Sequence, residues 1–262
     1  MNLRIEGTSE ARFAAYVQGL SNVLGHADRI GPLRDYCTGL MLPGERKSVE
    51  PMAARTAPAR TSAQHQSLLH FVGVASWSDE RVLAKAREMV LPSMERHGPI
   101  EGWIIDDTGF PKQGTHSVGV QHQYCGQLGK EANCQVAVSL SIANHNASLP
   151  VAYRLYLPKE WAEDTARRKK AGVPLDISFK TKPEIALEQI QWACKAGLPR
   201  GVALMDAAAH RHDGVGSELC GRHSAENPGL ATRYRTEAAR QATEQYGASR
   251  RTRSDLGQTG SS

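Results

Sequence analysis

With 262 residues the chain is long enough for one large domain or two small ones, each with its own apolar core. A formal net charge of +5 and a pI near 9.0 lean toward a polyanionic partner without establishing one. No stretch approaches ~20 consecutive apolar residues and the first residues lack a signal-peptide core, so no membrane span is expected and the chain reads as cytoplasmic.

The five cysteines, Cys37, Cys125, Cys134, Cys194 and Cys220, form no CxxC and read as reduced thiols. Cys134 and Cys194 stand beside apolar runs, as small core residues do.

Residues 1–95 read as a helical unit. Phe13, Tyr16, Val17, Leu20 and Leu24 recur at helical spacing after a candidate cap at Ser9. Ile30, Leu33, Cys37, Leu40 and Met41 make a second stripe that Pro43-Gly44 ends. A Pro- and Arg-containing connector is expected from Glu45 to Arg60. Two more helices follow, one around Leu68, Leu69 and Val72 and one carrying Val82, Ala86, Met89 and Val90 after Ser78.

From Pro99 the period shortens to two, and residues 96–208 read as an α/β segment. Gly102-Trp103-Ile104-Ile105-Asp106-Asp107 is a short buried strand that ends on carboxylates. Val136, Val138, Leu140 and Ile142 alternate with small residues, and Val151, Tyr153, Leu155 and Leu157 repeat the pattern beyond a hairpin turn at Asn144-His145-Asn146-Ala147. Thr181-Lys182-Pro183-Glu184 is a capping box with Pro in the first turn, opening a helix that stops at Gly197. Gly201-Val202-Ala203-Leu204-Met205-Asp206 is a further strand ending on a carboxylate. Strand, strand, strand, helix, strand fits a mixed α/β sheet.

Residues 209–262 differ in composition. Their large aliphatics, Val215, Leu219, Leu230 and Leu256, form no helix face or strand, and arginine is plentiful while lysine is absent. Such a segment buries too little apolar surface to offset its ordering entropy and is expected to be disordered. It reads either as a natural basic tail or as an out-of-frame translation of a GC-rich gene. The abrupt change after a well-formed strand favours the frameshift.

Two strands that each deliver an aspartate to their carboxyl end can fix oxygen ligands for a hard divalent cation. Two such ions activate a nucleophile and stabilise the leaving oxygen of a phosphodiester. Asp107 and Asp206 are the candidates, although an aspartate after a strand often only caps a turn. Neighbours in a strand point to opposite faces, so Asp106 is the alternate to Asp107. Lys112 and the run Arg167-Arg168-Lys169-Lys170, placed in the loop before the capped helix, are candidate phosphate contacts. Their competing reading is solvated surface, and Trp161 nearby is expected to pack. Asp206, His210, His212 and Asp213 contain His-x-His, but within the low-complexity tail. Nucleotide-cradling glycine motifs are absent, and His116, His122 and His145 lack Ser or Cys partners at telling positions, so a nucleophilic triad has no support.

A set of motifs resembles the insertion-sequence transposases of the DDE superfamily endonuclease group in bacteria. They include Ile105-Asp106-Asp107-Thr108-Gly109-Phe110-Pro111-Lys112, Gln123-Tyr124-Cys125-Gly126-Gln127-Leu128-Gly129-Lys130, Leu149-Pro150-Val151-Ala152-Tyr153-Arg154-Leu155-Tyr156-Leu157-Pro158 and Lys182-Pro183-Glu184-Ile185-Ala186-Leu187. The resemblance runs from Gly39 to Ala208. It implies an RNase H-like core, incomplete here, that uses Mg²⁺ or Mn²⁺ on three acidic residues to cut and join DNA ends. Asp107 matches the first metal ligand and Asp206 the second. After Ala208 the match stops, and neither Glu237 nor Glu244 sits in a motif for the third acid, so none is assigned. The implied partners are DNA at the element ends and a second copy or a full-length transposase. The implied activity is DNA transposition, absent in a chain truncated or frameshifted after Ala208. The alternative is a non-catalytic DNA-binding protein or transposition inhibitor.

Overall fold

The computed structural model describes residues 8–45 and 47–205. Contacts divide the chain into two compact units between Ser93 and Met94. The expectations for Asp206, for the His-x-His cluster and for the tail fall outside the described residues.

The first unit is helical: α1 (Ser9–Ser21), α2 (Ile30–Met41), α3 (Val49–Thr56), α4 (Thr61–Gly73) and the start of α5 (Asp79–His97). Val17, Leu20, Leu24, Leu33 and Phe71 form its core, and Trp77 stacks on Phe71 with ring centroids 5.6 Å apart. The cap of α1 is Thr8, whose hydroxyl accepts from the Ala11 amide at 3.3 Å, one residue before the expected Ser9. The expected connector at 45–60 contains α3, because Met52 and Ala53 pack with Leu68 in a second cluster. The stripe on α2 is narrower than expected. Leu33 is buried and Cys37 packs beside it, whereas Ile30, Leu40 and Met41 are exposed. On α4 it is Leu68 and Phe71 that point inward, and Leu69 and Val72 are exposed.

The second unit is a mixed five-stranded sheet with helices: β1 (Gly102–Pro111), β2 (Gln121–Cys125), β3 (Lys130–Ala143), β4 (Ser148–Leu155), α6 (Lys159–Glu163), α7 (Thr165–Ala171), α8 (Lys182–Lys195) and β5 (Val202–Met205). Long β3 is the hub. It pairs antiparallel with β1, with β2 at its start and with β4 at its end. β5 lies on the other side of β1 and runs parallel to it, Ile105 facing Met205. Gly201 makes that approach possible, since a Cβ there would stand 2.6 Å from the Gly102 nitrogen. The mixed sheet and the helical part before it agree with the expected fold class. The hairpin turn is also as expected, with Asn144 Oδ1 accepting from the Asn146 and Ala147 amides at 3.0 Å. Polar β2 was not anticipated. Arg167 to Lys170 lie in helix α7, not in a loop; Asp164 caps it and Gly172 ends it in the left-handed conformation at φ 69°.

Alternation gives the sheet two unlike faces. Trp103, Ile105, Val136, Val138, Leu140 and Ile142 are buried on one. Helix α8 covers that face with Ile185, Ala186 and Gln189, and the Gln189 amide donates to the Val138 carbonyl at 3.0 Å. The other face leaves apolar side chains open: Ile104 is 37% exposed, Leu204 38%, Val202 44% and Tyr153 52%. A second small core forms where Val120, Leu157 and Trp161 meet under α6 and α7.

Candidate functional site

Asp107 sits in β1 on the covered face, two positions beyond Ile105, and opposite Val138 of β3. Its carboxylate accepts from the Lys182 ammonium at 2.6 Å, and both side chains keep about a third or less of their surface exposed. The pair joins residues 75 positions apart in sequence. Asp106 faces the opposite, open side, opposite Ser139, whose hydroxyl donates to the Asp106 carbonyl at 3.3 Å. The two adjacent carboxylates are therefore separated by the sheet. The described part of β5 ends at Met205, level with Ile105.

Lys182 is the residue that sequence reasoning passed over. It occupies the first position of α8, behind a complete capping box: the Thr181 hydroxyl accepts from the Glu184 amide, and the Glu184 carboxylate accepts from the Thr181 amide at 2.7 Å. A lysine at the positive end of a helix works against the macrodipole. That misfit was a readable signal that a carboxylate stands opposite. The Lys182 ammonium also lies 5.7 Å from the centre of the Tyr156 ring. One turn further on, Lys180 and Arg154 both pair with Glu188 and hold its carboxyl below the usual carboxylate value, Lys180 contributing most.

Two thiols lie close by. Cys125 and Cys134 are fully buried with Val136. Burial, with the neighbouring Cys125 adding to it, pushes the Cys134 thiol up to about 11, so it stays protonated at neutral pH. Cys194 is only half-buried.

The candidate phosphate contacts separate into two kinds. Arg167 lies over the Trp161 ring, 3.7 Å from its centre, and donates to the Thr115 carbonyl at 2.7 Å. Arg168 donates to the carbonyls of Ala162, Pro174 and Ile177 at 3.1, 2.8 and 2.6 Å. Both guanidinium groups thus hold local backbone. Lys169, Lys170 and Lys112 are exposed. Trp161 is 1% exposed and donates its indole N–H to Val120 at 2.8 Å, so it packs as expected.

Asp107 can serve a hard cation: it is a carboxylate fixed by a sheet, and it already accepts a cation in the form of the Lys182 ammonium. It would be one ligand of a set, because no group of three His, Cys, Asp or Glu side chains converges among the described residues. None of the described helices is long and apolar enough to cross a membrane.

Residues 19–212 match the family described as DDE superfamily endonuclease. The chain is also similar to a probable transposase for insertion sequence element IS701 from Microchaete diplosiphon, 31% identical over 142 residues. That alignment covers 54% of this chain and 34% of the relative, so the chain spans about a third of the length of the curated relative it matches. The family match takes in α2 to α8 and β1 to β5, the Asp107 site included, and the chain belongs to the DDE superfamily endonucleases.

Proposed function

We propose that the chain serves DNA transposition through a divalent-metal site built on Asp107 and Asp206. The observation that supports this reading is the parallel pairing of β1 with β5, Ile105 facing Met205, in a sheet whose β1 carries Asp107. Bound Mg²⁺ or Mn²⁺ would supply activation of the attacking oxygen and charge stabilisation at the phosphodiester. The protein's own part is to hold Asp107 in the sheet, with Lys182 at the start of α8 beside it. Of the candidate phosphate contacts, Lys112, Lys169 and Lys170 are the exposed ones, each able to add salt-dependent affinity for DNA phosphates.

No glutamate in residues 209–262 stands in a motif for a third acid, so this chain by itself is expected to bind metal and DNA without turnover. The test measures binding and nicking of a duplex carrying the element ends, with and without Mn²⁺. Mn²⁺-dependent tightening that Asp107→Asn removes, with no nicking, supports the proposal. Nicking that Asp107→Ala abolishes would show that the metal site works and that the chain is active alone. Absence of DNA binding at every salt concentration would sink the reading. The second reading is a non-catalytic DNA-binding protein or transposition inhibitor, possible because Asp107 is the single carboxylate described at this site. Metal-independent DNA binding unaltered by Asp107→Asn would favour it.

A further inference from the structure

We infer that Lys182 is an exchangeable counter-ion of Asp107, holding the carboxylate in the metal-free chain and leaving it when a divalent cation binds. The inference rests on the proposed role of Asp107 as a metal ligand and adds the residue that competes for it.

The Lys182 ammonium, 2.6 Å from one oxygen of Asp107, already neutralises the carboxylate and sets a like charge beside any cation that this carboxylate binds. Metal entry therefore competes with Lys182. Three features make displacement the outcome. First, the release is local. The seat of α8 does not depend on Lys182, because the capping box, the bond from Gln189 to Val138 and the buried Pro183, Ile185 and Ala186 hold the helix independently. Second, Lys182 is at the positive end of its helix, where the macrodipole opposes a cation once its carboxylate is shared. Third, its side chain is 26% exposed, so a flexible four-carbon stem can carry the ammonium into water without unpacking the core. Neighbouring cations do not replace it: Lys180 and Arg154 are both bound to Glu188. A divalent ion brings two positive charges against one, so repulsion completes the exchange.

Lys182 is thus a positioning residue. It compensates the Asp107 charge and fixes the carboxylate rotamer before metal arrives, and it sets a threshold for metal entry. A purely structural lysine would hold the helix and leave metal affinity alone or weaken it.

The test is a calorimetric or electron-spin-resonance titration of the full chain with Mn²⁺. Lys182→Met is expected to tighten Mn²⁺ binding about tenfold, the effect of removing one like charge. Lys182→Arg keeps the charge and is expected to bind no tighter than the parent, whereas Asp107→Asn loses the site. If Asp107→Asn binds Mn²⁺ as the parent does, the metal-site reading fails. If Asp107→Asn loses binding and folded Lys182→Met binds as the parent or more weakly, only the counter-ion role of Lys182 is overturned. A second readout needs no variant. Amine-reactive labelling of the wild-type chain, followed by mass spectrometry, should show Lys182 several-fold more reactive with saturating Mn²⁺ than without it. Unchanged or lower reactivity would overturn the exchange.

Discussion

The two faces of the sheet carry the same strands and almost the same chemistry, yet they have opposite fates. On one, Trp103, Ile105 and Asp107 share the face that α8 packs against, and the carboxylate meets a lysine. On the other, Ile104, Asp106 and Thr108 look outward beside Leu204 and Tyr153. A one-residue step along β1 decides between them, because successive side chains alternate across the pleat. An Asp-Asp pair in a strand is thus two separate residues: Asp107 beside Lys182 on the covered face, and Asp106 on the face where Ile104, Leu204 and Tyr153 are exposed. Contiguous exposed apolar area of this kind marks an interaction surface or an aggregation liability.

The largest effect is expected at Trp103, which is 1% exposed and donates to the Pro199 carbonyl at 2.8 Å. Trp103→Ala should cost ~3–5 kcal/mol in urea unfolding, whereas Ile104→Ala next to it should cost under about 1 kcal/mol. Equal costs would mean that the faces are not distinct. A smaller loss, about 1–3 kcal/mol, is expected for Arg168→Ala, since three carbonyls lose a charged donor. Lys169→Ala with Lys170→Ala should leave stability within about 0.5 kcal/mol but lower the salt slope of DNA binding by about one per lysine. The reverse pattern would return the arginines to the phosphate-contacting set.

The raised Cys134 thiol makes the stability of the covered face depend on pH. The folded chain holds the thiol neutral up to about 11, while the unfolded chain ionises it near 9.0. Above the unfolded value the unfolded state therefore binds fewer protons, and stability should fall as pH rises from about 9 to about 11. Cys134→Ala should lose that part of the pH slope, read from unfolding curves at each pH. The smallest effect belongs to the open face. Ile104→Ser with Leu204→Ser should hardly move the unfolding midpoint but should reduce binding of a hydrophobic dye.

Much of this architecture is legible in the chain itself. β3 and β4 announce themselves through period two, and α8 through its capping box, because those signals are local; β1 was expected to be a short strand ending on its aspartates but runs on to Pro111, because β3 pairs with it as far as Cys134. Alternation separates Asp107 from Asp106 without choosing between them; Asp107 lies on the covered face and Asp106 on the other. Helix α3 was hidden because eight residues carry too few apolar positions to show a stripe, although Met52 and Ala53 are completely buried. Strand β2 was hidden because its sequence, Gln-His-Gln-Tyr-Cys, buries only Cys125. Arg167 and Arg168 look like phosphate ligands in sequence, since charge is visible there and the carbonyls of Thr115, Pro174 and Ile177 are not. The sequence shows Lys182 only as a cation misplaced at the positive end of a helix; which carboxylate it meets depends on where α8 lands on the sheet.

On the proposed function, Asp107 on the covered face, not its neighbour Asp106, is the metal ligand. Anomalous diffraction from crystals of the full chain soaked in Mn²⁺ tests it most directly. A peak about 2.0–2.2 Å from a carboxylate oxygen of Asp107, on the α8 side of the sheet, is the predicted result. A peak on Asp106 at the open face, or an Asp107 still bound to Lys182 with Mn²⁺ coordinated elsewhere, would contradict it.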